Sequence, residues 1–314
     1  MGAYDVIVVG AGHAGVEAAF SGARLGLKVL LATTNLTRIS FMSCNPAIGG
    51  VGKGHIVREI EALGGQMALA ADESCIQFKR LNQRKGPAVR GRRMQCDKNF
   101  YTKKMRQFVL QEKNIELKQL EIKKLQIKNS ICEGVVTSDG VFIRGKTVVI
   151  TTGTFMGAIM HTGSQTQEGG RVGDKATIGL SDQLKQLGLQ VERLKTGTPP
   201  RIYKGSVDWK KTQVQRGDPI FQPFSLLSHK QPKLPQVACY LTYTNEKTHE
   251  IIRNHLQETP LYTGAITGPG PRYCPSVEEK VTRFQDKTRH QTFLEPESLE
   301  TDSIYVQGLS TRLP

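Results

Sequence analysis

The chain opens with an apolar run. A glycine-rich turn follows this run, and a helical pattern follows the turn. Residues 6–9 are four consecutive β-branched side chains, a pattern typical of a strand buried on both faces. Glycines follow at positions 10, 12 and 15, residues 16–20 continue as a helix, and residues 27–32 are mostly apolar again. This order predicts a Rossmann-like βαβ unit in which the helix N-terminus can hold a pyrophosphate.

Alternating apolar and polar positions return further along the chain. Residues 117–127 and 131–143 predict a hairpin with turns at 128–130 and 138–140. Residues 148–155 predict a buried strand that ends in a turn of small residues. The helix that precedes the hairpin has a core-facing stripe formed by Phe100, Tyr101, Met105, Phe108 and Val109.

The pattern changes near residue 202, where prolines become frequent and periodicity weakens until a helix predicted over 246–256. We therefore predict an α/β fold with a Rossmann-like dinucleotide-binding domain over 1–201, which combines a parallel sheet, helices and a β-hairpin layer. A smaller inserted α/β domain covers 202–285. Residues 286–314 begin the return to the first domain.

Charge and cysteine content narrow the function classes. The formal net charge is +15, which favours a polyanionic partner such as RNA, although a generally basic proteome explains it nearly as well. No apolar run near the N-terminus is long enough for a membrane span and no signal pattern precedes the first strand, so we expect a cytoplasmic protein without a membrane partner. Six cysteines without a Cys-x-x-Cys pair predict neither a zinc site nor a disulfide framework.

The segment 43–55 is the most unusual part of the chain. It reads Ser-Cys-Asn-Pro-Ala-Ile-Gly-Gly-Val-Gly-Lys-Gly-His, so that Cys44 begins a loop rich in glycine. Such a loop can present a thiolate beside a bound cofactor. It is not a P-loop, because Gly54 occupies the position of the required Ser or Thr. Lys53 and His55 are candidates to contact a phosphate or a carboxylate of a bound cofactor.

A second unusual segment, 270–280, reads Gly-Pro-Arg-Tyr-Cys-Pro-Ser-Val-Glu-Glu-Lys. Together with 43–55 it resembles hallmarks of the tRNA uridine 5-carboxymethylaminomethyl modification enzymes, the MnmG (GidA) family. Segments 169–174 and 195–201 are similar to that family as well, and 148–155 resembles the second motif of flavin domains. The resemblance covers essentially this whole chain but only the first half of a family member. We therefore expect a fragment or a naturally short form.

The resemblance implies FAD as cofactor and assigns Cys44 and Cys274 to catalysis, whereas the other four cysteines are expected to be structural. One departure is that Thr33-Thr34-Asn35 stands where an acidic residue usually binds the ribose, and a hydroxyl or amide bonds ribose more weakly. Ile122 is either an adenine contact or an ordinary core residue. The predicted cofactor-binding residues are Gly10, Ala11, Gly12, His13, Ala14, Gly15, Thr33, Asn45, Gly49, Gly50, Lys53, Ile122, Thr152, Gly153, Thr177, Gly270, Pro271, Arg272 and Tyr273.

Basic residues supply the candidates for substrate binding. Seven of the fifteen residues 79–93 are Lys or Arg, and this segment is either a tRNA phosphate contact or a solvated loop. We predict substrate contacts at Arg90, Arg92 and Arg93. Lys195 and Arg201 are predicted to stabilise an anionic reduced flavin or folate, with loop anchoring as the alternative.

The function that the resemblance implies is FAD-dependent modification of the tRNA wobble uridine at C5. Methylene-tetrahydrofolate supplies carbon, and glycine or ammonium completes the group. Expected partners are tRNA and a GTPase of the MnmE type, with a homodimer in the full-length protein and NADH at the inserted domain. A folate- and FAD-dependent tRNA uridine methyltransferase and a catalytically incomplete flavin-binding fragment are the alternatives.

Overall fold

The computed structural model describes residues 3–260, 262–266 and 275–313. These residues form seven α-helices, namely α1 His13–Arg24, α2 Lys53–Ala62, α3 Met67–Glu73, α4 Lys98–Gln111, α5 Leu180–Gln186, α6 Glu246–Asn254 and α7 Val277–Arg283. The described residues also form β-strands, of which the first nine in chain order are β1 Tyr4–Val9, β2 Val29–Thr33, β3 Ala47–Gly49, β4 Cys75–Leu81, β5 Gly91–Cys96, β6 Ile115–Gln119, β7 Ile122–Lys128, β8 Ile131–Thr137 and β9 Phe142–Ile150. The later strands are β10 Ile159–Thr162, β11 Gln165–Glu168, β12 Arg201–Tyr203, β13 Gln213–Gln215, β14 Cys239–Tyr243, β15 Gln291–Pro296 and β16 Ser303–Gln307.

β1 lies inside a six-stranded sheet with the order β6-β2-β1-β9-β8-β7. It pairs in parallel with β2 and β9, and β2 pairs in parallel with β6. Val8 packs on one face with Val16 and Phe20 of α1, whereas Ile7 packs on the other with β7, β8 and α5. Because both faces are covered, every residue of the run 6–9 is apolar. The predicted Rossmann-like α/β fold class is confirmed.

The far side of this sheet is antiparallel. β7 pairs with β8 across a turn in which Asn129 and Ser130 have positive φ, and β8 pairs with β9. This confirms the predicted hairpin. The prediction of one strand over 117–127 was wrong, because the chain breaks at 120–121 and Leu117 belongs to β6, which pairs with β2 instead.

A separate three-stranded antiparallel sheet, in the order β3-β5-β4, carries the cysteine segment. Cys44 lies in the loop before β3, and Gly49 at the end of β3 pairs with Arg93 of β5. A Cβ at Gly49 or Gly54 would lie within 2.6 Å of the carbonyl oxygen of Arg92. Gly49 and Gly54 are therefore required for the close packing of this segment against β5.

A five-stranded antiparallel sheet, in the order β12-β16-β15-β14-β13, joins distant parts of the chain. β13 and β14 come from the predicted insertion, and β15 and β16 come from the predicted return segment. The two segments therefore share one sheet, and the domain boundaries stay a prediction. Within the insertion, the predicted helix is confirmed as α6, which Asn245 caps by accepting from the N–H of Thr248 at 2.9 Å.

No helix within the described ranges combines the length and the apolar character that a membrane crossing demands.

We predict that Asp97 is a main determinant of stability. One carboxylate oxygen caps α4 by accepting from the N–H groups of Asn99 and Phe100, and the other accepts from Ser298 and Leu299. Asp97→Ala removes the cap and orphans buried donors, so the free energy of unfolding should fall by about 2 to 3 kcal/mol in urea titrations. Asp182→Ala, an exposed position in α5 without a capping bond, is the control; equal losses in the two variants would contradict the assignment.

Candidate active site

The glycine turn after β1 is packed as closely as glycine allows. Gly10 has a φ of +106°, and a Cβ on it would lie 2.5 Å from the carbonyl oxygen of Thr151. A Cβ on Gly15 would lie 1.8 Å from the carbonyl oxygen of Gly10. The hydroxyl of Thr151 donates to the carbonyls of Val9 and Gly10, each at 3.0 Å. The ends of β1 and β9 and the first turn of α1 are thereby fixed against one another.

Gly12 differs from its two neighbouring glycines because a Cβ on it would meet no atom within 4 Å. It is the N-cap of α1 and has extended backbone angles that any residue can adopt. No side chain caps this helix end. The turn therefore fits the pyrophosphate of a dinucleotide, which binds where backbone approach is close and the helix dipole is positive.

His13, the next residue, is packed against the ring of Tyr101 with centroids 5.7 Å apart. Burial lowers the pKa of His13 to about 4, so the imidazole is neutral at physiological pH. It adds no positive charge to the turn. Any attraction for a pyrophosphate here comes from the backbone.

A cavity of about 390 Å³ opens beside the end of β2. Of the predicted residues, Thr177 lines it, whereas Thr33 uses its hydroxyl to bond the backbone N–H of Asn35 and Ile122 is buried in the core. Thr152 and Gly153 follow β9 outside this lining. The residues that line the cavity are Thr34, Asn35, Gln119, Leu120, Glu121, Gly173, Asp174, Lys175, Ala176 and Thr177.

The sequence analysis missed the two carboxylates of this cavity, Glu121 and Asp174. The amide of Asn35 donates to Asp174 at 3.3 Å, and Arg171 donates to the same carboxylate at 2.7 Å. Burial raises the pKa of Asp174, but the bonds and charges of Arg171, Asn35 and Arg38 together outweigh this, and the net pKa lies below the usual value. The end of β2 carries no acidic residue of its own, but the fold places the carboxylate of Asp174 beside Asn35 at that position. The arrangement fits a ribose, whose hydroxyls are donors.

The Cys44 loop is tied directly to the glycine turn, because the N–H of Ser40 donates to the carbonyl of Ala11 at 2.9 Å. The Cys44 side chain is exposed, and its sulfur lies 3.1 Å from the hydroxyl of Tyr305 in β16. Burial, and then the bond to Cys44, raises the pKa of Tyr305, so the phenol keeps its proton at neutral pH. A protonated phenol can donate to a thiolate and stabilise it.

Arg201 holds this thiol and its partner together. Its guanidinium donates to the carbonyls of Ser43 and Cys44 at 3.0 and 3.1 Å and lies 4.9 Å from the centre of the Tyr305 ring. It also pairs with the buried carboxylate of Glu297 at 3.3 Å. Arg201 therefore positions the Cys44 loop, and its predicted role toward a reduced flavin or folate stays a prediction.

A second contact to the same loop passes through Asn45. Its side-chain amide lies 3.3 Å from the side-chain amide of Gln307. The amide of Gln307 in turn lies within hydrogen-bond distance of the carboxylate of Glu295. Arg93 pairs with Glu295 at 2.6 Å. Burial raises the pKa of Glu295 although Arg93 opposes this, so the carboxylate depends on its cationic partner.

The other cysteines in the described ranges differ from Cys44. Cys75, Cys96 and Cys239 are buried, and burial raises the pKa of Cys96 and Cys239 to about 12 and that of Cys75 further. Cys132 is half-buried. Within this set Cys44 is the accessible nucleophile. Three or more His, Cys, Asp or Glu side chains arranged for a metal ion are not found in the described part of the chain.

The remaining predicted residues fall in three places. Arg90 and Arg92 line a second cavity together with His55, away from the partners of Arg93. Lys195 lies 3.8 Å from a carboxylate oxygen of Glu279. Lys53 is exposed at the start of α2, and Gly50 has a φ of +108° in the loop before it. Five predicted residues lie outside the described ranges, namely Gly270, Pro271, Arg272, Tyr273 and Cys274.

We predict that Tyr305 makes Cys44 more reactive. Tyr305→Phe keeps the ring below Arg201 but removes the donor to the sulfur, so alkylation of Cys44 by iodoacetamide at pH 7 should slow by about tenfold. Mass spectrometry of the peptide that contains Cys44 gives the rate. Tyr203→Phe, an exposed tyrosine in the same sheet, is the control. An unchanged rate in Tyr305→Phe would show that the contact has no effect on the thiol.

Comparison with known proteins identifies the family. The model of the family described as "Glucose inhibited division protein A" matches residues 5–314. The tRNA uridine 5-carboxymethylaminomethyl modification enzyme MnmG of Bdellovibrio bacteriovorus is 60% identical over 311 residues, which cover 99% of this chain and 48% of the relative. The enzyme of the same name from Pelobacter propionicus is 55% identical over 311 residues, which cover 99% and 49%.

A solved structure agrees with the sequence relatives. GidA of Aquifex aeolicus, in its form I crystal, superposes with a TM-score of 0.93 at 47% identity and covers 100% of this chain and 53% of that chain. The chain thus spans about half the length of the curated relatives it matches. The match of the family model over nearly the whole chain and the two identities above 50% show that this chain belongs to the GidA family.

Proposed function

We propose that this chain provides the FAD site and the two catalytic thiols of an enzyme that modifies the wobble uridine of tRNA at C5. The observation that carries the proposal is the attachment of an exposed thiol, Cys44, to a dinucleotide turn. The bond from Ser40 to Ala11 holds the loop of Cys44 against the turn that fits a pyrophosphate. The names of the relatives, which are tRNA uridine modification enzymes, support the same function.

FAD is the proposed dinucleotide, and when bound it supplies a group that accepts or donates hydride. The backbone around Gly10, Gly12 and Gly15 would hold the pyrophosphate, for which it leaves open space. Asn35 and Asp174 would bind the ribose in the cavity beside β2. The parallel sheet and the glycine turn support this assignment.

The proposed thiols are Cys44 and Cys274. Addition of a thiolate to C6 of uracil forms a sulfur–carbon bond and moves the electron pair of the C5–C6 double bond toward C5 and O4. C5 then becomes nucleophilic toward the one-carbon unit of methylene-tetrahydrofolate. Cys44 meets the needs of this step, because its side chain is exposed and Tyr305 can donate to its thiolate.

The further partners are proposals that rest on family membership. They are glycine or ammonium as co-substrate, a GTPase of the MnmE type, NADH at the segment 202–285 and a homodimer of the full-length protein. The net charge of +15 supports a tRNA substrate. A tRNA substrate in turn places the proposed activity in the cytoplasm.

Gly12→Val gives a direct test of the FAD site. A Cβ at this position meets no protein atom within 4 Å, and the branched side chain takes up space in front of α1, so the variant should fold and bind FAD about tenfold more weakly. Flavin absorbance after gel filtration and titration with FAD give the affinity. Gly86→Val, where a Cβ also meets nothing within 4 Å, is the matched control. Unchanged FAD affinity in folded Gly12→Val would place the cofactor elsewhere.

Cys44→Ser gives the test of the reaction. Serine keeps the shape but is a far poorer nucleophile at neutral pH, so single-turnover modification of an unmodified tRNA transcript should be abolished in the full-length context. FAD and tRNA binding should be retained. Nucleoside mass spectrometry of the digested tRNA is the measurement, with the GTPase partner added. Cys132→Ser, the half-buried cysteine, should leave the yield unchanged. Full activity of Cys44→Ser would remove this residue from the mechanism.

A further inference from the structure

A second cavity, of about 210 Å³, lies beside the first turns of α2. Its lining is dominated by cationic and donor side chains drawn from α2, β4, β5 and two loops. Phe, Tyr and Trp do not occur among the described residues that line it. The polar residues around it are His55, Arg58, Arg80, Arg90, Arg92 and Gln222.

The four arginines of this cavity share a lack of acidic partners. Among the described residues, Arg58, Arg80, Arg90 and Arg92 form no ion pair with a carboxylate within 4.0 Å. Burial lowers the pKa of Arg92, and the neighbouring charges of Arg58 and Arg80 lower it further, against the attraction of Asp72. The cavity therefore holds a concentration of positive charge that is not neutralised by any ion pair among the described residues.

Asp72 contributes by positioning the loop that orients two of these arginines. Its carboxylate is 4% exposed and accepts from the N–H groups of Phe224 and Ser225 at 2.7 and 2.9 Å. The carbonyl of Phe224 in turn accepts from Arg58 at 3.0 Å, and that of Pro223 accepts from Arg92. Each guanidinium is thus fixed through one nitrogen. The N–H groups that remain are preorganised for a ligand with several acceptor oxygens.

We propose that this cavity binds one backbone phosphate of the tRNA, an assignment that rests on the proposed function. Phosphate oxygens match the fork of guanidinium donors, and the described lining holds no Phe, Tyr or Trp ring on which a base could stack. The site also lies on the strand that supports the thiol loop. Arg92 faces the cavity, whereas the next residue, Arg93, bonds Glu295 beside Asn45. A phosphate held here would fix the register of the tRNA relative to Cys44.

The test compares the binding of an unmodified tRNA transcript to Arg58→Gln, Arg80→Gln and the wild type. Arg80 is the milder change, because its guanidinium makes no hydrogen bond or ion pair with another described residue. Affinity is measured by filter binding from about 50 to about 200 mM KCl, and loss of one phosphate contact should reduce the slope of log K against log salt by about 0.7 to 0.9. Arg144→Gln, an exposed arginine of β9, is the matched control.

We expect both pocket variants to weaken tRNA binding several-fold with the reduced slope, whereas Arg144→Gln and FAD binding stay unchanged. If both pocket variants keep the wild-type affinity and slope, the cavity is not a tRNA contact, and the proposed function stands without it. If the wild type itself binds no tRNA, both proposals fail.

A second measurement separates a tRNA phosphate from a small phosphate ligand. Thermal unfolding is followed with inorganic phosphate or a mononucleotide added to the wild type and to Arg58→Gln. Stabilisation by either compound that Arg58→Gln abolishes, together with unchanged tRNA affinity in this variant, would assign the cavity to a small phosphate ligand and overturn the tRNA assignment.

Discussion

The close approach of Gly15 to the carbonyl of Gly10 is the constraint on which the rest of this structure depends. A side chain at either position would overlap backbone atoms, so α1 can start directly against the end of β1 only because both residues are glycine. Thr151 extends the constraint to β9 through its bonds to Val9 and Gly10. The carbonyl of Ala11, inside the same turn, then receives Ser40 and brings in the segment that ends at Cys44. One packed turn thus determines both the space for a dinucleotide and the place of the thiol.

Buried carboxylates connect this turn region to the five-stranded sheet. Glu297 is 1% exposed and pairs with Lys98 at 2.8 Å and Arg201 at 3.3 Å, and Glu295 pairs with Arg93. Burial raises the pKa of Glu297, but the bonds from Lys98 and Ser303 outweigh it and leave the pKa below its usual value. Buried pairs of this kind are costly to desolvate and contribute little net stability. Their effect here is geometric, since they set β15 and β16, and with them Tyr305, against the Cys44 loop.

The local parts of the fold and site could be predicted from sequence, because their signals lie within a few residues of one another. The strand and glycine turn at 4–15, the hairpin turn at 128–130 and the accessible setting of Cys44 are of this kind. The contact of Cys44 with Tyr305 spans 261 residues and that of Asn35 with Asp174 spans 139, and no local pattern reports such distances. The break at Leu120 was missed for a related reason. β6 pairs with β2 rather than with the hairpin, and the alternation along 117–127 does not show which partner a strand has.

The basic segment 79–93 shows how a uniform sequence signal can divide in three dimensions. Successive side chains of a strand point to opposite faces, so Arg92 and Arg93 enter different environments although they are adjacent in the chain. Arg93 pairs with the buried carboxylate of Glu295 and thereby helps to hold the Cys44 loop. Arg92 instead lies among other arginines and donates to a backbone carbonyl. A count of basic residues along the sequence therefore overstates the number of positive charges that are available to bind a polyanion. The positive charge that remains for a ligand belongs to arginines that form no ion pair among the described residues, such as those that line the cavity on the face of β5 that carries Arg92.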